Sequence, residues 1–174
     1  TEAVNVRLTT HEGRTVDAHP IAVDFPTGLG LVQPLGPLGV APLPRGKAAA
    51  VNAGDRVTAI SHGGRAHALA ARVVAKNEFA GYWEYLLDEA LFTAPLHPAW
   101  SGAALVDARG RLVGIGSLFV QQVVDGEATR GNMFVPIDVL EPVLDDLLTH
   151  GRRQGPPRPW LGVYTAEDEG RLIV

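Results

Sequence analysis

The sequence has no cysteine among its 174 residues, so disulfide scaffolds, thiolate nucleophiles and cysteine-bound metals are all excluded. It has no excess of positive charge either. The formal net charge is -4 and the longest basic cluster is Gly151-Arg152-Arg153, so nothing forms an electrostatic footprint for nucleic acid. No apolar run approaches the roughly 20 residues of a membrane-spanning helix, and no membrane insertion is expected. There is no Gly-rich phosphate loop, no HExxH and no paired-histidine spacing, so neither a metal nor a cofactor is expected. The acidic run Glu167-Asp168-Glu169 reads as a solvated turn. No signal-peptide pattern opens the chain. TEAVNVRL reads as mid-strand without an initiator methionine, and a mature or excised fragment is expected.

What the chain does have is turn chemistry. Its 20 glycines and 13 prolines punctuate short apolar runs every 8 to 12 residues or so, the spacing of sandwiches and barrels. Val4, Val6 and Leu8 alternate with polar residues, and His11-Glu12-Gly13-Arg14 turns the chain into Thr15–Ala18, a hairpin. Ile21 and Val23 continue extended, and residues 28–32 form another run. Residues 33–50 are rich in proline and glycine and read as a connector. Further strands are expected at 57–60, 68–76, 82–87, 105–106, 112–115 and 133–135. The stretch from Tyr82 carries Trp83 and Tyr85, which suit a pleated, half-buried surface.

One helix is predicted. Leu140, Val143, Leu144, Leu147 and Leu148 make an amphipathic stripe, Asp138 with Glu141 supplies a capping box, and Gly151 follows as a C′ residue. The segment GRRQGPPRP reads as a linker, and residues 160–174 read as two strands that begin something new.

The chemistry-bearing stretch is PAWSGAALVDARGRLVGIG, with Ser101 on a small-residue turn before two apolar runs split by Asp107-Ala108-Arg109-Gly110. It resembles the nucleophile region of the HtrA/Deg branch of the trypsin-like serine proteases, GNSGGPLV followed by a glycine turn and an apolar strand. The resemblance continues in EGRTVDAHPIAVD, in NAGDRVTAISHGG, in NMFVPIDVLEPVLDDLL before the helix, and in the WLGV at 160–163 that opens a PDZ domain in that family. It implies an all-β, trypsin-like double β-barrel with a C-terminal helix and an incomplete N-terminal barrel. The implied parts are the remaining N-terminal barrel and connector at 1–50, the second barrel and helix at 51–151, a linker at 152–159, and the start of a PDZ-like segment from 160 to 174. The resemblance also implies an extracytoplasmic, periplasmic setting and a homo-oligomer, often a trimer.

Residue by residue, the resemblance gives Ser101 the nucleophile position, Ala99 and Trp100 the lead-in to the oxyanion hole, and Ile115, Gly116 and Ser117 a peptide-binding edge. The orienting aspartate falls on Gly28, four residues after Asp24, and glycine has no side chain to hold an imidazole. The family histidine would lie before Ala3–Leu8, ahead of the first residue. Of the six histidines, none matches, and each reads as a surface residue, including His97 four residues before Ser101. A hydroxyl nucleophile needs a base within hydrogen-bond reach, itself held by a third group, and backbone donors aimed at the oxyanion. The expected function is therefore a pseudoprotease that binds extended peptides or unfolded segments. The alternative is a truncated serine endopeptidase whose Ser101 is completed by residues outside the chain.

Overall fold

A computed structural model describes residues 5–81, 86–124, 127–156, 163, 166–168 and 171–173. Strands β1 (Val6–Thr9), β2 (Thr15–Asp24) and β3 (Leu29–Pro34) form an antiparallel sheet in the order β1-β2-β3. Six strands then close a barrel in the order β4-β5-β6-β9-β8-β7: β4 (Arg56–Ile60), β5 (Ala68–Ala80), β6 (Leu86–Ala94), β7 (Ala104–Val106), β8 (Leu112–Val124) and β9 (Glu127–Pro136). A 3₁₀ turn (Ile137–Leu140) and helix α1 (Leu144–His150) follow, and β10 (Ala166–Asp168) pairs with β11 (Arg171–Ile173) near the end. The fold is the expected one, a closed barrel beside a partial second sheet.

Period-2 alternation builds the core. Val57, Ala59, Ala71, Val73, Leu91, Leu105, Val113 and Phe134 point into the barrel. Met133 and Val135 flank Phe134 on β9 and face the other way, packing with Phe92, Ala90 and Leu29. Strand β9 is thus buried on both faces, which is why its sequence reads as a continuous apolar run. That second cluster seats the three-stranded sheet on the barrel. Helix α1 packs Val143 and Leu147 against Ala22 of β2.

Several expected boundaries change. Strands β8 and β9 form a hairpin that runs well past the barrel wall, from Val124↔Glu127 inward, far beyond 112–115 and 133–135. Strand β6 starts at Leu86 and carries Leu91, Phe92 and Thr93; Tyr82, Trp83 and Tyr85 lie outside the described residues, as do Trp160, Leu161 and Gly162 of the WLGV stretch. The capping box is overturned. Helix α1 begins only at Leu144, because the Asp138 carboxylate is used elsewhere: it accepts the Ala48 and Ala49 N–H groups at 2.9 and 2.8 Å. It thereby caps a 3₁₀ turn (Ala48–Ala50) of the connector, 90 residues away along the chain. Glu141 pairs with Lys47 at 2.8 Å, which holds its carboxyl below the usual range and raises the Lys47 ammonium. Leu148, the last residue of the stripe, is 59% exposed. Gly151 does close the helix, its N–H reaching the Leu147 carbonyl at 3.1 Å.

At the end of β2 sits the least exposed acid of the chain's first sheet. Asp24 is 1% exposed; it accepts the Thr27 hydroxyl at 2.6 Å and both Nε and Nη2 of Arg153, at 3.0 and 2.8 Å. Arg153→Ala leaves this carboxylate buried with only Thr27, and is expected to cost about 3 kcal/mol. The readout is a lower urea midpoint at unchanged slope. Asp24→Asn keeps an acceptor for Thr27 without the charge and is expected to cost less.

Candidate functional site

Ser101 lies on a turn between β6 and β7. The Ala103 N–H reaches the Trp100 carbonyl at 2.9 Å, and Gly102, third in the turn, takes φ +72°, a conformation that other residues adopt only at a cost. The turn is stapled to β8. The Gly102 N–H donates to the Gly116 carbonyl at 2.8 Å and the Gly116 N–H to the Ala103 carbonyl at 2.7 Å. The approach is so close that a β-carbon on Gly116 would overlap the Trp100 carbonyl oxygen. Ser101 itself is exposed. A tight turn held against β8 therefore presents Ser101 outward.

The histidine beside it is not on the surface, contrary to the sequence reading. His97 is 3% exposed. Its main-chain N–H donates to Asn132 Oδ1 at 2.7 Å, its Nε2 lies 2.7 Å from the His67 carbonyl, and its Nδ1 lies 3.1 Å from the Ala99 nitrogen. A carbonyl only accepts and a backbone N–H only donates, so this network assigns one tautomer: neutral, with the proton on Nε2 and a lone pair on Nδ1. Both ring nitrogens are then committed to backbone, and no lone pair remains to take a proton from Ser101. Asn132, fully buried on β9, holds the His97 main-chain N–H and carbonyl with its side-chain amide, and sequence reasoning missed it. No local pattern marks it, because β9 meets this loop only through barrel closure.

The same bond decides the fate of the oxyanion position. The N–H two residues before a nucleophile must point at the developing oxyanion to stabilise it. Here the Ala99 N–H points at the His97 ring instead. Trp100 is half-buried and lends its carbonyl to the turn. The resemblance gives the orienting position to Gly28. Gly28 ends the β2–β3 turn with its N–H on the Asp24 carbonyl at 2.9 Å, and the Asp24 carboxylate is saturated by Thr27 and Arg153. The structure does not bring Gly28 or Asp24 into any bond with His97 or Ser101.

Of the expected peptide edge, Ile115 is interior, paired with Ala104 on one side and Val135 on the other. Gly116 spends both of its main-chain groups on the Ser101 turn. Past a bulge between Gly116 and Leu118, β8 keeps β9 on one side through Val124, while no strand among the described residues pairs with the other side. Counting through the bulge, Phe119 and Gln121 turn their main-chain groups toward that open side. Phe119 is 45% exposed. Among the described residues no group of side chains forms a metal site.

Comparison with known proteins bears on this geometry. The family model for the trypsin-like peptidase domain matches residues 1–115. Serine protease PepD of Mycobacterium tuberculosis (strain ATCC 25618 / H37Rv) is 26% identical over 179 residues, covering 95% of this chain and 38% of PepD. Among solved structures, the HtrA-type protease AlgW with a decapeptide superposes with a TM-score of 0.73 at 22% identity, covering 95% of this chain and 50% of that one. AlgW with a tripeptide gives 0.66 at 18% identity, covering 86% and 49%. The chain thus spans about half the length of these structures, and less of PepD.

The hairpin turn after Ser101's strand is organised by Asp107, whose side chain is 14% exposed. Its Oδ1 accepts the Arg109 and Arg111 N–H groups, both at 2.9 Å, and its Oδ2 accepts Arg111 Nε at 2.8 Å. Burial pushes this carboxyl up, but the bonds from Arg111 and Arg109 outweigh it and hold it below its ordinary value of 3.8. A depressed carboxyl stabilises the fold above its ordinary value, and that contribution is lost as pH falls through the lowered one. Asp107→Asn is expected to cost roughly 2 kcal/mol at neutral pH. Urea midpoints measured from neutral pH down to acid should show the gap between the two proteins closing only below pH 3.8.

Proposed function

The chain belongs to the trypsin-like peptidase family, and from that membership we propose that it acts as a pseudoprotease, a peptide-binding or scaffolding module whose Ser101 does not attack peptide bonds. The observation that carries this reading is the bond from the Ala99 N–H to His97 Nδ1. It withdraws an oxyanion donor and the nearest imidazole in one contact. Losing one such donor typically costs about 10² to 10³ in rate, and losing triad members about 10⁴ to 10⁶. Gly28 in place of the orienting aspartate adds to both and lies within this chain, so residues elsewhere do not repair it at that position.

Peptide binding needs none of this chemistry. Strand addition uses main-chain groups at an open edge with pockets for alternate side chains, and β8 offers such an edge from Leu118 onward. The AlgW structures that share the fold hold a decapeptide and a tripeptide, which supports extended peptides or unfolded segments as the ligand class. On the same reading the protein works outside the cytoplasm as a homo-oligomer, and residues 160–174 begin a PDZ-like segment. No helix among the described residues is long and apolar enough to cross a membrane.

Labelling with a fluorophosphonate probe tests the chemistry. No Ser101-dependent signal is expected when the chain is compared with Ser101→Ala. A signal that disappears in that variant means a base reaches Ser101 from outside these residues, and the endopeptidase alternative replaces the pseudoprotease. Binding is tested by fluorescence anisotropy with a dye-labelled unfolded casein. Ser101→Ala should leave the affinity unchanged, and Phe119→Pro, which removes an N–H from the open edge, should weaken it about tenfold.

A further inference from the structure

On the outer face of the barrel the fold sets two arginines side by side. Along β4 and β5 the inward residues Val57, Ala59, Ala71 and Val73 alternate with outward ones, and the antiparallel register places Arg56 opposite Arg72 and Thr58 opposite Ala70. Like charges directly opposite on one face of a sheet repel. Neither arginine makes an ion pair among the described residues; the arginines that do are Arg7, Arg111 and Arg153.

A cleft lies over the pair, lined by Arg56, Thr58, Ala70, Arg72, Ala94 and Pro95 among others, and no carboxylate borders it. The alanines leave a recess between the long side chains. Arg72 is partly pre-positioned, since its Nη1 donates to the Gly54 carbonyl at 3.0 Å, and its remaining N–H groups are left for another acceptor. A second cleft shares Arg56 and Ala108 and adds Lys47, Arg109 and Arg111. The two acids that border this second cleft are occupied. Asp107 holds Arg111, and Asp55 Oδ2 accepts the Asn52 N–H at 2.8 Å. Lys47 and Arg111 are paired with Glu141 and Asp107, which leaves Arg56, Arg72 and Arg109 without ion pairs among the described residues on this face.

We propose that Arg56 and Arg72 clamp an oxyanion, a phosphate or a carboxylate, with the Thr58 hydroxyl as a further donor and Arg109 adding attraction from the rim. Guanidinium forks match both oxyanions through paired N–H···O bonds. A bound anion removes the repulsion that the β4–β5 register builds in. The site is independent of Ser101 and of the pseudoprotease reading.

The test is a titration of the full chain, ¹⁵N-labelled and at low ionic strength, with inorganic phosphate in one arm and glutarate in the other, following the arginine Nε–H signals. The expected result is saturable shifts at Arg56 and Arg72 in at least one arm, and the tighter arm identifies the source. Arg56→Gln and Arg72→Lys should each weaken binding about tenfold, the second because lysine keeps the charge but loses the fork. Arg7→Gln, on β1, should change nothing. Arg56→Gln replaces an exposed side chain, and an unchanged amide spectrum elsewhere verifies its fold. Without the anion it should melt no lower than the parent protein. Shifts that match those from chloride at equal ionic strength, no saturation in either arm, or an affinity that Arg56→Gln leaves intact would overturn the clamp.

Discussion

A buried polar group must find its partner inside the protein, and at the mouth of the barrel that requirement falls on His97. Its buried ring places both nitrogens on backbone groups, the His67 carbonyl and the Ala99 N–H. The imidazole joins the β4–β5 turn to the loop before Ser101, and the His97 main chain joins both to Asn132 of β9. Satisfying that ring fixes the orientation of the peptide that a protease would keep for its substrate. In this protein the Ala99 N–H is held by that structural requirement.

Other long-range ties are of a different kind. The three-stranded sheet is seated by apolar contact, Leu29 against Phe92 and Met133 and Ala22 against α1. The connector is pinned by Asp138 under Ala48 and Ala49 and by Lys47 on Glu141. The exposed Lys47–Glu141 pair adds little by itself. Asp138 matters more, because it satisfies two N–H groups with a charged acceptor. Together these ties make residues 137–153 the seam along which the sheet, the connector and the barrel meet.

Much of this was legible in the sequence. Strand alternation placed the barrel core, because Val57, Ala59, Ala71 and Val73 obey period 2 wherever one face is buried. The turns at 11–14 and 107–110 and the Gly151 helix end follow from local chemistry, and Ser101 stands on the small-residue turn read for it. What stayed hidden depends on closure. Asp138 followed three residues later by Glu141 is a sound capping pattern, yet a connector 90 residues distant competed for the same carboxylate. His97 looks like any loop histidine until β9 brings Asn132 beneath it. The length of the β8–β9 hairpin escaped notice because Gln121, Gln122 and Arg130 break the apolar alternation once the strands leave the core.

The Asp24–Arg153 fork has a consequence for how the molecule opens. It fastens the last residue of β2 to the chain just beyond α1, while Val143 and Leu147 fasten the helix itself to the same strand. The sheet cannot lift from the barrel without freeing the segment that leads onward from the helix. That segment cannot fray without baring a carboxylate in the sheet. Two stretches separated by more than a hundred residues are therefore tied to open together.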